Sequence, residues 1–340
     1  MQKKRKKQKP KRIGAQEKRK RHLKHLYLKA FFITLAVCLV LLGAAYGAFL
    51  YLLGGLNRTQ VDEENLAVNE SVDEKVINVA LFGLDSRNHD YTGRSDVIMI
   101  ASVNSKTGKV KLVSIARDTY ASIPGYQKTK INHAYAYGGP ELAIRTLNEN
   151  FGLDITDYVT VNFDSLAEVI DAMGGVEIEV SEAERQQINA YLLAGAPLRE
   201  NGVVLLNGPQ AVSYSRIRKI DSDDMRTSRQ RRVLAALFEK AKTFNALEYP
   251  SYVRKFAPMV QTSLSNDEIL KLASVGLKGK SLTLEQAAFP NEYIQAEGQT
   301  IGGAWFYVYD LAQAKDMLHE YLYQDIPFAQ YASSEDEEKD

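Results

Sequence analysis

Cysteine is almost absent from this sequence. Cys38 is the only cysteine among 340 residues, and it lies inside an apolar run. A disulfide within the chain and a cysteine-based metal site are therefore excluded. The sequence also has no internal repeat and no helix-turn-helix pattern, so a role as a transcriptional regulator lacks a recognisable DNA-binding motif.

Acidic residues are nearly absent from the first 29 residues. Of the 43 basic and 42 acidic residues of the chain, residues 1–29 contain 14 and one, so the remainder carries 29 and 41, a net charge of −12. The basic segment is predicted to be disordered. Taken alone it is compatible with nucleic-acid binding, but the acidic remainder argues against nucleic acid as a partner of the body.

Charged residues are absent altogether from residues 30–56. About 20 apolar residues are enough to span a bilayer as a helix, and this run is too long for the apolar core of a cleavable signal peptide. We therefore predict a single signal-anchor helix in the cell membrane. The preceding positive charge is expected to stay in the cytoplasm, which makes the rest of the chain extracellular.

The chain is predicted to contain five segments. They are a basic cytoplasmic arm (1–29), a transmembrane signal anchor (30–56), an extracellular stalk (57–75), one extracellular folded domain (76–330) and an acidic disordered tail (331–340). Apolar runs of strand length alternate with helical patterns in the domain, which predicts an α/β fold with a mixed β-sheet covered by helices on both faces. Strands are predicted near 76–84, 96–104, 109–115, 158–163, 176–180 and 282–289, and helices near 140–150, 164–173, 222–240, 246–275 and 311–323.

The stretch from Tyr214 to Arg232 contains six arginines. Arg216 and Arg218 are two residues apart, and on a strand this spacing would direct both guanidinium groups to one face. Arg226 and Gln230 are four apart on the following predicted helix, so they share a face. Planar guanidinium groups from two elements suit an anion with several oxygens, such as a diphosphate.

A solvated basic helix paired with its own acids is the alternative explanation of this stretch. The acids available are Asp221, Asp223 and Asp224, which also suit a helix cap. We expect Arg231 and Arg232 to be solvated, and the sequence leaves Arg229 undecided.

Three further polar clusters follow or begin predicted strands. They contain Asp85 and Arg87, Arg94 and Asp96, and Arg117 and Asp118. Ligands of open α/β sheets bind at such strand ends, and Asp85 with Asp96 can hold a hard divalent cation such as Mg²⁺. Each cluster alone is more often an ordinary turn or a solvated loop.

Taken together, the motifs resemble the LytR-CpsA-Psr family. The matching motifs, in order, are G-L-D-S-R, R-S-D-V-I-M-I, S-I-A-R-D-T, K-I-N-H-A-Y-A-Y-G-G and Y-S-R-I-R-K followed by D-M-R-T-S-R-Q-R. The resemblance covers residues 76–240, and a looser similarity extends to about 323. One departure is Ala116, where the family usually has proline before the arginine.

This resemblance implies a membrane-anchored phosphotransferase of Gram-positive-type cell envelopes. Such a protein moves a glycopolymer (teichoic acid, capsular or related polysaccharide) from a polyprenyl diphosphate carrier to peptidoglycan. It implies Mg²⁺ as cofactor, with Asp85 and Asp96 as metal ligands, and a catalytic role for these two residues and Arg117. The residues implied to bind the diphosphate are Arg117, Arg216, Arg218, Arg226, Gln230, Lys130 and Asn132.

The sequence leaves open the type of activity, the general base and the residues that contact the lipid tail. A polyprenyl diphosphate hydrolase and a non-enzymatic envelope-binding or regulatory protein are the alternatives to a transferase. The general base is not evident, with His133, Asp85, Asp96 and Asp118 as candidates. Apolar residues in 142–147, 166–173 and 233–238 can line a groove for the lipid tail, but at helical spacing they are more often core, and no tail contact is assigned.

Overall fold

The computed structural model describes residues 47, 51, 53–70, 75–86, 91–193, 195–244, 248–276 and 279–333. The described residues from Leu53 onward belong to one compact unit. The predicted arm and nearly all of the predicted anchor lie outside the described residues. Among the helices of the described ranges, none has the length and apolar character that a membrane crossing requires.

Seven strands form a mixed central sheet in the order β1-β10-β7-β2-β3-β4-β11. They are β1 (Asn57–Arg58), β2 (Val76–Leu84), β3 (Ser95–Asn104), β4 (Lys109–Ile115), β7 (Asp157–Asn162), β10 (Gln261–Thr262) and β11 (Thr283–Phe289). The central strands β2, β3 and β4 are mutually antiparallel, whereas β7 runs parallel to β2 and β11 runs parallel to β4. The predicted mixed sheet is therefore confirmed.

Three two-stranded sheets lie outside the central sheet. They are β5 (Tyr120–Ala121) with β6 (Thr129–Lys130), β8 (Val176–Val180) with β9 (Gly202–Leu206), and β12 (Ala296–Ile301) with β13 (Ala304–Tyr309). Beyond Leu53, the α-helices of the described residues are α1 (His133–Phe151), α2 (Phe163–Ala172), α3 (Glu182–Tyr191), α4 (Gly208–Ser215), α5 (Asp223–Ala241), α6 (Tyr249–Phe256), α7 (Asn266–Gly276) and α8 (Leu311–Gln324).

Helices cover both faces of the central sheet. On one face, α1 and α8 pack onto β2, β3 and β4 around a continuous apolar core. On the other face, α2 and α5 lie against residues of β2, β3 and β7. A smaller core joins α2 and α5 to α3, α4 and the β8–β9 hairpin.

Tertiary contacts extend the fold beyond residues 76–330 at both ends. Residues 57–70 of the predicted stalk belong to the domain: β1 pairs with β10, and Leu66 is fully buried in the core. Residues 331–333 of the predicted tail belong to a 3-10 helix, Phe328–Ser333. The Tyr331 hydroxyl donates to Glu320 Oε2 at 2.7 Å, which connects this segment to α8.

The predicted helix over 246–275 is also wrong. It is divided into α6 and α7 by a 3-10 turn that contains Pro258 and by the edge strand β10. Proline cannot continue a helix without losing a backbone hydrogen bond. β10 pairs with β7 and with β1, so the sheet provides the backbone hydrogen bonds that a helix would have made. The Thr262 hydroxyl of β10 also donates to the Tyr158 carbonyl at 2.5 Å.

Candidate functional site

The predicted residues at strand ends meet at one edge of the sheet. Asp85 directly follows β2, Asp96 is the second residue of β3, and Arg117 is the second residue after β4. Because β3 runs antiparallel to both of its neighbours, the ends of β2 and β4 lie beside its beginning. Arg117 Nη1 donates to Asp96 Oδ1 at 2.7 Å.

Arg117 also contacts the residue that follows it. Its Nε lies 3.3 Å from Asp118 Oδ2. Lys130 Nζ of β6 lies 2.7 Å from the other Asp118 oxygen. Lys130 therefore joins the charged cluster through Asp118. Asn132 is buried next to the start of α1, and its side-chain oxygen is buried without a hydrogen-bond partner.

The predicted strand pair at Arg216 and Arg218 is wrong. Asn207 caps α4 by accepting from the Gln210 N–H at 3.0 Å, and Pro209 occupies its first turn, so this segment is helical through Ser215. Arg216 ends that helix, and Arg218 lies in the loop before α5. Both nevertheless line the pocket described below, because the loop turns them towards it.

Arg216 lies between a carboxylate and an aromatic ring. Its Nη2 is 3.8 Å from Asp85 Oδ2. Its guanidinium carbon lies 5.0 Å from the centre of the Phe163 ring. The cation–π contact orients the guanidinium group while its hydrogen-bonding edge remains available.

Arg226 and Gln230 share one face of α5, as predicted. Both are buried, and only 3% of the Arg226 side chain is exposed. Arg226 Nη2 donates to Asp223 Oδ2 at 2.8 Å, but its Nε and Nη1 are buried without a hydrogen-bond partner. A buried guanidinium with unbonded N–H groups is costly, so an anion that accepts from them would be stabilised here.

Asp223 is a member of the site, whereas the sequence suggests only a helix cap or an acid paired with the arginines of its own helix. Ser222 caps α5 instead, and Asp223 is its first residue. Besides Arg226, its carboxylate lies 4.0 Å from Arg218 Nε and 3.9 Å from Arg117 Nε. Burial raises the pKa of Asp223, while the two arginines oppose this effect. Its position beside Arg226 at i and i+3 was the available signal.

These side chains surround a small charged pocket. Its volume is about 170 Å³, and it is lined by Asp85, Asp96, Phe163, Tyr191, Ser215, Arg216, Arg218, Arg226 and Gln230. An apolar cavity of about 130 Å³ lies next to it, between the sheet and helices α2 and α5. The two share Phe163, Ser215 and Gln230 as lining residues. One site therefore combines a charged compartment with an apolar one.

The apolar cavity receives only part of the predicted tail-binding residues. Leu166, Val233 and Leu234 line it. Residues 142–147 do not contribute, because Ile144 and Leu147 are packed in the core on the opposite face of the sheet.

The remaining arginines of α5 have other partners. Arg229 is fully buried and ion-paired with Glu184 at 2.8 Å and with Asp221, so it connects α5 to α3. Arg232 is exposed as predicted and donates to the Tyr214 hydroxyl at 3.1 Å. Arg231 is half-buried, so the prediction that it is solvated is wrong.

A network of mutually satisfied ion pairs is the alternative explanation of the cluster. The cluster contains five cations, Arg117, Lys130, Arg216, Arg218 and Arg226, and four carboxylates, Asp85, Asp96, Asp118 and Asp223. Two observations favour a ligand site over such a network. The buried Nε and Nη1 of Arg226 remain unbonded. Asp85 is about half exposed, and within the described part of the chain its one ion pair is the 3.8 Å contact to Arg216.

The donor set for a divalent cation is small. Asp85 and Asp96 line the same pocket. In the described ranges, no three His, Cys, Asp or Glu residues are grouped to surround a metal ion. Two carboxylates suit Mg²⁺, which commonly binds proteins through one or two carboxylates and completes its octahedron with water and substrate phosphate oxygens.

His133 is hydrogen-bonded to β6. Its Nδ1 lies 3.1 Å from the Thr129 hydroxyl in β6. Burial lowers the pKa of His133, and the positive charges of Arg94 and Lys130 add to this effect. The neutral ring therefore has a structural partner in β6.

Comparison with known proteins finds a matching family, a similar sequence and similar solved structures. The sequence profile of the LytR_cpsA_psr family matches residues 55–321. The polyisoprenyl-teichoic acid–peptidoglycan teichoic acid transferase TagU of Oceanobacillus iheyensis is 34% identical over 265 residues, which cover 74% of this chain and 78% of that protein. The crystal structure of B. subtilis TagT has a TM-score of 0.62 and 26% identity, covering 78% of this chain and 99% of TagT. A structure of TagT bound to LI-WTA has a TM-score of 0.64 and 26% identity, covering 78% and 98%.

Proposed function

This chain belongs to the LytR_cpsA_psr family, and on that premise we propose that it is a membrane-anchored phosphotransferase. Its donor is a glycopolymer, such as teichoic acid or a capsular polysaccharide, linked to a polyprenyl diphosphate. Its acceptor is peptidoglycan. The name of the TagU relative supports both substrates, because it describes a transfer of teichoic acid from a polyisoprenyl carrier to peptidoglycan.

The observation that carries this proposal is the pairing of a charged pocket with an apolar cavity. A polyprenyl diphosphate has a highly charged head and a long apolar tail, so it needs both environments side by side. Arg216, Arg218 and Arg226 line the charged part, and Gln230 lines both parts. A free sugar phosphate would have no use for the apolar cavity.

In the proposed reaction, a peptidoglycan hydroxyl attacks the phosphorus atom that carries the glycopolymer. A new P–O bond forms, the bond to the bridging diphosphate oxygen breaks, and polyprenyl phosphate leaves with that oxygen. Arg117, Arg216, Arg218 and Arg226 stabilise the charge that develops on the phosphate oxygens. The hydroxyl proton passes to a carboxylate of the cluster, among which Asp223 joins the candidates because its pKa is raised.

Mg²⁺ is part of the proposal, with Asp85 and Asp96 as its protein ligands. Five cations and four carboxylates nearly cancel in the cluster. A diphosphate adds further negative charge, so a divalent cation would restore the balance. When bound, Mg²⁺ would neutralise charge on the diphosphate oxygens.

The membrane anchor at residues 30–56 and the extracellular position of the domain are also proposed. They rest on the uncharged run and on the positive charge before it. A reporter enzyme fused to the C-terminus tests this topology. Activity on the cytoplasmic side alone would overturn the proposed location and, with it, access to peptidoglycan.

The transfer itself is tested with the purified full-length chain in detergent, lipid-linked glycopolymer, Mg²⁺ and peptidoglycan oligomers. We expect a covalent product, and Arg218→Ala should lower its rate about a hundredfold, since it removes one charge-stabilising group. Arg218 is half exposed, so the variant should fold. Arg232→Ala on the neighbouring helix is the matched control and should retain the activity.

The same assay separates the alternatives. Release of polyprenyl phosphate without an acceptor would identify a hydrolase. Binding of the lipid without turnover under any condition would identify a binding or regulatory protein. Equal rates for Arg218→Ala and the control would show that the arginine pocket takes no part in the reaction.

A further inference from the structure

A second pocket lies along a different face of α5. Its volume is about 520 Å³, and its lining includes Asp224 and Arg231 of α5, Asn291 and Tyr293 of the segment between β11 and β12, and Tyr307 of β13. Asp224 and Arg231 are seven residues apart, so they lie on the same side of the helix, two turns from each other. The charged pocket uses Arg226 and Gln230, and the two pockets have no lining residue in common.

Two hydrogen-bond donors of this second pocket are unused. Arg231 Nη1 and Asn291 Nδ2 are both buried without a hydrogen-bond partner. The Asn291 side-chain oxygen already accepts from the Tyr293 N–H at 3.0 Å, which leaves the amide nitrogen as the free group. Burial lowers the pKa of Arg231, and Asp224 only partly opposes this effect. An acceptor-rich ligand would satisfy both donors.

Aromatic rings form another part of the lining. Tyr293, Tyr307 and Phe328 all contribute to it. Trp305 packs edge-on against Tyr307 with 5.2 Å between ring centres, and 43% of Trp305 is exposed. Flat apolar faces beside a few directed polar groups suit a ring-shaped ligand that carries polar substituents.

The second pocket is connected to the charged cluster by hydrogen bonds. The Tyr307 hydroxyl donates to Asp224 Oδ2 at 3.3 Å, and Asp224 adjoins Asp223 of the cluster. The main-chain N–H of Tyr307 donates to the Asp118 carbonyl at 2.9 Å. Asp118 is in turn paired with Arg117 and Lys130. A ligand in the second pocket is therefore next to the site where the diphosphate is proposed to react.

We infer that the second pocket binds the acceptor, as an acidic N-acetylated amino sugar of the peptidoglycan glycan. Arg231 binds the carboxylate, Asn291 Nδ2 donates to the acetamido carbonyl, and Tyr293 and Tyr307 contact the ring. This inference rests on the proposed function, because it assigns the second substrate of the same reaction. Because the two substrates would contact different residues, substitutions in the second pocket should affect acceptor binding and leave diphosphate binding unchanged.

The test measures two affinities on the full-length chain in detergent. The probes are the disaccharide N-acetylglucosaminyl-N-acetylmuramic acid and geranylgeranyl diphosphate, each titrated by calorimetry. We expect Arg231→Gln and Asn291→Ala to weaken disaccharide binding about tenfold each, since each loses a hydrogen bond. Both variants should bind the diphosphate as the wild type does. Arg232→Gln, the adjacent exposed arginine, is the matched control and should change neither affinity.

A second sugar tests the assignment of the carboxylate. Chitobiose lacks the carboxylate of the muramic acid, so Arg231→Gln should leave its binding unchanged while Asn291→Ala weakens it. Thermal unfolding of each variant checks that the domain is folded. Should Arg231→Gln fail to fold, Asn291→Ala carries the test alone.

The inference is overturned if the wild type does not bind the disaccharide, or if folded variants bind it unchanged. The proposed function fails differently, through geranylgeranyl diphosphate binding that does not respond to Arg226→Gln. The two failures are therefore distinguishable in one set of titrations.

Discussion

The two faces of the central sheet carry similar apolar side chains but are packed differently. On one face, Phe82 and Ile100 join Phe151 of α1 and Leu318 of α8 in a core where none of the four is more than 1% exposed. Side chains buried this completely are close-packed in protein interiors. It holds the strands, and hence the residues at their ends, in fixed positions.

The opposite face retains an apolar cavity. Leu81, Met99 and Val161 line it. Gly83 keeps the strands close: a Cβ at this position would lie 2.8 Å from Cβ of Val97, its cross-strand partner. Apolar voids are few in protein interiors, and this one ends at the arginine pocket. Under the proposed function, one sheet therefore serves stability on one face and ligand binding on the other.

Truncation on the filled face should have the largest effect. Phe151→Ala removes a fully buried ring at the end of α1, and we expect a loss of about 3–5 kcal/mol in the free energy of unfolding, measured with urea. The transfer rate per folded molecule should not change, because the ring lies on the face away from the pocket.

Met99→Ala is the corresponding truncation on the cavity face, and its stability loss is compared with that of Phe151→Ala. Met99 is also fully buried, but it already borders a void, so fewer contacts are lost. We expect a loss of about 2 kcal/mol, near the lower limit for such truncations. An equal loss from both variants would contradict the difference in packing between the two faces.

Filling the cavity should have the next largest effect, and on function rather than stability. Leu234→Trp places a larger ring where the first isoprenoid units are proposed to bind. Losing that apolar burial should lower affinity for geranylgeranyl diphosphate about a hundredfold. The free energy of unfolding should stay within about 1 kcal/mol of the wild type, because the new side chain occupies existing space.

The matched control is Glu239→Trp, which adds the same ring at an exposed position of α5. It should bind the lipid as the wild type does. Undiminished binding by Leu234→Trp would show that the cavity holds no tail, and the face would then be a loosely packed core.

Much of the filled face could be predicted from the sequence, and the cavity could not. β2, β3 and β4 are clear from their apolar runs, and the observed bounds of β4 agree with the prediction. Apolar residues look alike whether they border a core or a void, so periodicity alone could not separate Leu166 from Leu147. That distinction depends on how closely two elements approach, which is a tertiary property.

The sequence predicts which residues belong to the candidate site better than it predicts the elements that carry them. The structure brings together four of the predicted residues, Asp85, Asp96, Arg117 and Arg226. They could be predicted because strand ends and helix faces are features of the local sequence. The spacing of Arg216 and Arg218 predicts a strand, but Arg216 ends helix α4. Asn207 with Gln210 is a capping-box pattern that marks the start of that helix. The β12–β13 hairpin was missed despite Gly302 and Gly303 at its turn, both with positive φ.

Two further differences have clear causes. Asp223 was overlooked because its role depends on Arg117 and Arg218, which reach it from other segments. The polar composition of residues 57–75 predicts a stalk, whereas the structure packs Leu66 into the core, with Val61 and Val68 against it.

The smallest effect is expected at the end of the sheet opposite the arginines, where a carboxyl group is buried and is paired with no cation of the described residues. Asp157 begins β7, and its oxygens accept from the hydroxyls of Ser263 at 2.7 Å and Thr156 at 3.0 Å. Burial raises the pKa of Asp157 from 3.8 to about 6, with Ser263 and Thr156 opposing and Glu268 adding to the effect. The folded state therefore holds this proton more tightly than the unfolded state does.

The sign of the pH dependence follows from that shift. The stabilising contribution is fully present below the unfolded pKa and is lost as the pH rises through about 6. Between pH 4 and pH 7 the wild type should lose about 1 kcal/mol of stability relative to Asp157→Asn, which stays neutral, because Glu268 shares the proton and reduces the full effect. Urea unfolding at both pH values measures it, with the exposed Asp316→Asn as control. Parallel pH profiles for wild type and Asp157→Asn would contradict the burial of this carboxyl group, because a hydrated Asp157 would have the same pKa in the folded and unfolded states.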